Sequence, residues 1–104
     1  MDPREVINPK NMIDPESIDI VVGKTEEAYF SIAILKWDGE LRVGIRWNNS
    51  GAKKKGYPIG AFGRPQWFIL PKEIAIEYAK VYAEKNHDVT IIEKIKATSD
   101  APLT

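Results

Sequence analysis

The chain has 104 residues with no cysteine, a single histidine and no long apolar run. Without thiols it forms no disulfide, offers no thiolate metal site and has no cysteine nucleophile, and nothing speaks for an oxidising compartment. Its apolar stretches extend over only a few residues, so no helix crossing a bilayer is expected. The start, Met1-Asp2-Pro3-Arg4-Glu5, lacks the basic-then-apolar order of a signal peptide, and a cytoplasmic location is the expectation. Net charge is missing too: 15 Lys+Arg balance 15 Asp+Glu. That zero argues, at first sight, against a polyanionic partner. What is present is 43% hydrophobic and 10% aromatic residues, the make-up of one globular domain rather than a disordered chain.

Catalytic and metal-binding patterns are sparse. His87 stands beside Asp88 where a helix is expected to end, the usual place for a partner of the helix dipole. Ser50-Gly51 has no nucleophile elbow around it. One histidine without cysteine leaves carboxylates alone as metal ligands, and Glu73 and Glu77 share a helix face with lysines nearby. Gly51, Gly56, Gly60 and Gly63 precede no Gly-Lys-Ser/Thr, and the GxxG at Gly60 to Gly63 lacks the flanking helices that give it meaning. The expectation is a non-enzyme that uses no cofactor or metal.

The pattern predicts an α+β single domain: a curved antiparallel sheet of four to five strands with one helix packed on it, led by a Pro-rich N-terminal arm. Residues 1–16 form that arm, punctuated by Asp2-Pro3, Asn8-Pro9 and Asp14-Pro15, each a turn initiator followed by aliphatics that can pack on the domain. The domain spans 17–97, and 98–104 is expected to be a flexible tail. Ile18 to Val22 reads as a first strand. Asp38-Gly39 divides an alternating stretch from Ala28 to Trp47, the strongest short hairpin signal, because both turn residues must accept positive φ. With those two as the loop, Phe30/Trp47, Ile32/Ile45 and Ile34/Val43 share an apolar face. Ser31/Arg46, Ala33/Gly44 and Leu35/Arg42 share a mixed, basic one.

A long Gly/Pro connection, Asn48 to Gln66, leads to a short strand at Trp67–Leu70. Pro71 suits the first turn of a helix that carries an apolar stripe of Ile74, Ala75, Tyr78, Val81 and Tyr82 and stops near Asn86. Val89 to Lys96, β-branched and partly alternating, predicts a last strand.

Charge by segment undoes the opening argument. Residues 41–71 hold Arg42, Arg46, Lys53, Lys54, Lys55 and Arg64 and no acid, a +6 block in a chain otherwise −6. Aromatics are interleaved with these cations, which suits single-stranded nucleic acid: cations track phosphates while rings stack on bases. The candidate nucleic-acid-binding residues are Arg42, Arg46, Lys53, Lys54, Lys55, Arg64, Tyr29, Trp37, Tyr57 and Phe62. Ala33 and Gly44 are expected to floor a shallow groove between surface residues Arg42 and Arg46. Trp47, Trp67 and Phe68 are expected in the core. Six phosphate contacts imply a salt slope near −4, from about −0.7 per contact.

The run Gly39 to Trp47, the basic loop with Lys54-Lys55-Gly56, and Phe68-Ile69-Leu70-Pro71-Lys72-Glu73 opening a helix together resemble the single-stranded-DNA-binding transcriptional coactivator family of the positive cofactor four type. The resemblance spans about residues 28–85. It implies a curved antiparallel sheet followed by one helix, a homodimer formed through the helices, and single-stranded DNA bound on the sheet face. Arg42, Arg46, Lys54 and Lys55 match basic positions of the family's strand and loop. The chain departs from the pattern in a longer loop at Gly56 to Arg64 and in the added strand after the helix. The leading expectation is a module for single-stranded DNA or RNA without strong sequence preference, in transcription regulation. The alternative is a protein-interaction module that buries Tyr57, Phe62 and Trp67 of loop 56–68 in a partner. A small ligand between loop and helix is a third reading.

Overall fold

The computed structural model describes residues 1–48, 55–60 and 63–103. At its centre, Asp38 and Gly39 take φ of 51° and 83°, the pair of left-handed conformations whose twist matches the strands of a two-residue hairpin. Strands β2 (Phe30–Trp37) and β3 (Glu40–Trp47) flank that turn. Every expected pair forms, from Phe30 opposite Trp47 to Trp37 opposite Glu40. Strand β1 (Asp19–Val22) pairs antiparallel with β2, and β4 (Phe68–Leu70) pairs antiparallel with β3. The result is a four-stranded antiparallel sheet in the order β1-β2-β3-β4, joined by helices α1 (Lys72–Asn86) and α2 (Thr90–Lys96). The fold is α+β, as the sequence predicts. The outer edge of β3 is shared among three segments. Strand β4 takes Val43 to Ile45, Tyr57 exchanges backbone bonds of 2.8 and 2.9 Å with Trp47, and the Ser99 N–H donates to the Leu41 carbonyl at 2.7 Å.

One face of the sheet carries Ile32, Ile34 and Val43 against Ala75, Ala79 and Ala83 of α1 and Ile91 and Ile95 of α2. Residues four apart stack on one side of a helix, and three alanines in that row leave room for α1 to lie close to the strands. The helix ends where expected, but the left-handed cap is His87 (φ 52°), whose N–H bonds to the Ala83 carbonyl. Asn86 is instead the last helical residue, and its side-chain amide donates to the Tyr82 carbonyl at 2.9 Å.

The expected last strand is α2. Its β-branched residues favour extended backbone locally, yet Ile91, Ile92 and Ile95 stand at i, i+1 and i+4, and Ile91 and Ile95 are buried in the core. The Asp88 carboxylate accepts from the Thr90 N–H at 3.0 Å and the Thr90 hydroxyl at 2.6 Å, tying the start of the helix. Burial of one helical stripe outweighs weak β propensity.

The opposite face is covered by the Pro-rich arm. Val6 and Ile13 of the arm are buried with Ala33, Leu35 and Trp67. The Trp67 indole N–H donates to the Val6 carbonyl at 2.8 Å. Two of the three Asx-Pro steps open 3-10 turns, Pro3–Glu5 and Pro15–Ser17, in which the Asp2 and Asp14 side chains accept the Arg4 and Glu16 N–H groups at 3.0 and 3.1 Å. Gly44 lets Trp67 lie on the sheet, since a Cβ there would stand 3.2 Å from the indole. The tail expected to be flexible is pinned through Ala101: Thr98 is buried, Ser99 pairs with Leu41, and the Ala101 carbonyl accepts from Arg42.

Candidate binding groove

The arm-covered face holds the two arginines that were expected at the surface, and both are buried, Arg42 at 8% and Arg46 at 2% exposure. The Arg46 guanidinium donates to the Gln66 carbonyl at 2.8 Å and to that of Lys55, so it ties the end of the loop after β3 to a point within it. Burial pushes its pKa down to about 10, because removal from water penalises the charged form. Arg42 pairs with Glu40 at 2.8 Å and donates to the carbonyls of Ser99 and Ala101. The terminal nitrogens of both guanidinium groups are therefore engaged within this chain, Arg46 with backbone carbonyls and Arg42 with two carbonyls and the Glu40 carboxylate. The expected groove floor, Ala33 and Gly44, lies beneath Trp67 and the arm. Trp37 is half-buried against the same cluster.

The remaining candidates are scattered. Tyr29 is 78% exposed beside the start of β2. Lys55 and Arg64 are exposed on the loop, with the Lys55 ammonium donating to the Gly63 carbonyl at 2.9 Å. Tyr57 is 41% exposed while its backbone pairs with Trp47. Lys53, Lys54 and Phe62 lie outside the described residues.

A site forms on the helix face, from residues mostly expected in the core. Trp67 is buried as expected, but Trp47 is 56% and Phe68 57% exposed. They stand at the end of the sheet that α1 leaves open, beside a groove of about 710 Å³. Phe30, Ile45 and Leu70 line the sheet side of it; Ile74 and Tyr78 of α1 form one wall, and Tyr57 and Pro58 the other. The aromatic rings brace one another edge to face: Phe30 stands 6.2 Å from Trp47 at 70° and 6.2 Å from Tyr78 at 76°. Such contacts fix ring positions as well as adding about 1 kcal/mol each. Partial burial, with Tyr82 nearby, raises the Tyr78 pKa above its ordinary value. The signal for this groove was in the sequence as a mismatch of sizes: a helix whose contact row is alanine is paired with a strand face that continues through Phe30, Ile45, Trp47 and Phe68.

A second cavity of about 590 Å³ lies between the start of α1 and the tail, bordered by Arg42 and Lys72. Lys72 is already bonded to the carbonyls of Lys96 and Thr98 at 2.7 and 2.8 Å, closing the end of α2. Among the described residues no cluster of His, Asp and Glu is placed to hold a metal ion, and no helix is long and apolar enough to cross a membrane. No family model, curated protein or solved structure matches this chain.

Proposed function

We propose that the chain is a protein-docking module that takes a partner's apolar side chains into the groove between α1 and the Tyr57–Pro58 wall. The observation that carries this reading is the exposure of Trp47 and Phe68, neighbours around one concave apolar surface. Aromatic anchors beside a pocket are the usual energetic centre of an interface. Covering the remaining half of each ring contributes on the order of 2 kcal/mol, at about 25 cal/mol per Å². The test uses the chain and its Phe68→Asp variant as immobilised baits, compared at low and high salt. A protein retained by the wild type at both salt concentrations and lost by the variant is the expected result. Identical recovery on the two baits overturns the reading.

A second reading keeps single-stranded nucleic acid as the ligand and moves it to this groove. It is favoured by the exposure of Trp47, Tyr57 and Phe68, which offer ring faces for stacking, in a stretch of chain that also carries exposed Lys55 and Arg64. With Arg42 and Arg46 engaged internally, at most four of the six cations of residues 41–71 can meet phosphates. The salt slope should then be no steeper than about −3, from about −0.7 per contact. Anisotropy of a labelled oligonucleotide at several salt concentrations measures it, and no binding at low salt removes this reading.

A further inference from the structure

Resting on the docking reading, we infer that the partner enters as an extended segment that adds a fifth strand to the sheet. It pairs with the outer edge of β4 and places alternate apolar side chains on the groove's face. Three observations point to this occupant.

The first is an unused pair of backbone groups. Trp37 and Glu40 close the two-residue hairpin and face each other across it, and along an antiparallel pair such bonded residues alternate with residues that turn their polar groups outward. Counting from that pair, Leu41, Val43, Ile45 and Trp47 turn theirs to the outer edge of β3, where Leu41 meets Ser99 and Trp47 meets Tyr57. Val43 and Ile45 therefore bond Leu70 and Phe68, and Ile69, between those two, directs its N–H and C=O away from β3. Strand β4 is the last of the sheet, and among the described residues nothing pairs with Ile69 on that side. The arm bridges Gln66 through Asn8 just before the strand, so the open stretch is short and centred on Ile69.

The second is the space along this edge. The cavity of about 590 Å³ touches Ile69, Leu70 and Pro71 in succession and is lined as well by the tail from Ser99 to Leu103. Successive side chains of extended chain point to opposite faces, so a hollow that touches three in a row follows the edge and not one face. The third is the lack of protection. The other edge strand, β1, carries Asp19 and a register shift between Ile20 and Val22, both of which discourage pairing. Strand β4 is Phe68-Ile69-Leu70, without charge, proline or register shift. A segment paired with it puts the residue opposite Ile69 on the Ile69 side of the sheet. The residues flanking that one fall on the side of Phe68 and Leu70, which line the groove. Recognition should depend on backbone bonds and apolar side chains rather than charge, because Arg42 and Lys72 around the edge cavity are balanced by Glu73 and Asp100.

The probe is a displayed library of random peptides about eight residues long, selected on the full chain and, in parallel, on Phe68→Asp. The expected winners are enriched on the wild type only and carry apolar residues at i and i+2. Two readouts, both made on the wild-type chain with a winning peptide, test the pairing itself. Methylating one peptide nitrogen, the one that meets the Ile69 carbonyl, should weaken binding at least about tenfold, because it leaves that carbonyl covered and without a donor. Methylating either neighbouring nitrogen should cost much less. The Ile69 amide should exchange with solvent faster than those of Phe68 and Leu70 in the free chain, and at least about tenfold more slowly in the complex. Winners with no single sensitive nitrogen, or that leave Ile69 exchange unchanged, overturn the inference while leaving the docking reading in place. No enrichment over Phe68→Asp overturns both. A dimer of this chain that protects the Ile69 amide and that Phe68→Asp dissociates also overturns both, by putting a second copy at the edge.

Discussion

Trp67 and Phe68 are adjacent in sequence and opposite in fate. The indole lies under the arm at 3% exposure, and the phenyl ring projects from the other face at 57%. Alternation along a strand sends neighbours to opposite faces, so the difference comes from what covers each one. The arm, with Val6 and Ile13, seals one face over its small residues, Ala33 and Gly44. The helices cover only part of the other, because α1 approaches through alanines and leaves Trp47, Phe68 and Ile74 uncovered. The lesson is that the basic and mixed face became the sealed one, while an apolar end of the sheet was left open.

The largest effect that separates the two faces should come from Trp67→Ala. It empties a packed site and removes the bond to Val6, a loss of about 3–5 kcal/mol by analogy with other large-to-small core changes. A urea midpoint close to wild type would show that the arm is not seated on the indole. Arg46→Ala should cost about 2 kcal/mol, since it leaves the Gln66 and Lys55 carbonyls without their charged donor. The same urea measurement decides this, and an unperturbed midpoint would mean that the guanidinium belongs to solvent. Phe68→Ala, one position from Trp67, should shift stability by no more than about 0.5 kcal/mol, as exposed sites do. A cost near that of Trp67→Ala would place Phe68 in the core and abolish the contrast.

The smallest effect concerns the arm in acid. Hydrogen bonds from the Arg4 side chain and N–H hold the Asp2 carboxyl below its ordinary value of 3.8. A carboxyl lowered in the folded state contributes stability above its unfolded pKa and loses it as pH falls through the folded value. The arm's first turn should therefore loosen as pH falls below that ordinary value toward the lowered one, which a change in Trp67 fluorescence would report. Asp2→Asn should remove this step; an unchanged acid profile in the variant assigns the step to another carboxyl.

The hairpin was fully legible because two independent signals coincide in it. Turn chemistry at Asp38-Gly39 and alternation in the flanking residues specify the same register. The fates of Arg42 and Arg46 were not legible. Their positions on the basic face were read correctly, but what lies over that face comes from afar: the arm, whose Val6 meets Trp67 across 61 positions, and the tail, whose Ala101 meets Arg42 across 59. No local pattern announces a cover so distant in sequence. In α2 the local signal pointed the wrong way, because β-branched side chains obscured the helical spacing of Ile91, Ile92 and Ile95. The groove fell between these cases: Trp47 was placed on the right face, yet both it and Phe68 were expected in the core, and the reach of α1 across that face depended on packing.

The distance between Trp67 and Val6 also bears on the order of events in folding. Hairpin contacts around Asp38-Gly39 are local and close early, whereas segments far apart in sequence must give up chain entropy before they gain contact. The arm and the Trp67 region are therefore expected to join after the transition state. A change at this late seam should act mainly by hastening unfolding and leave the folding limb of a chevron plot nearly unmoved. The lifetime of the native state would then be set by the strap across the sheet, and its birth by the turn at the centre.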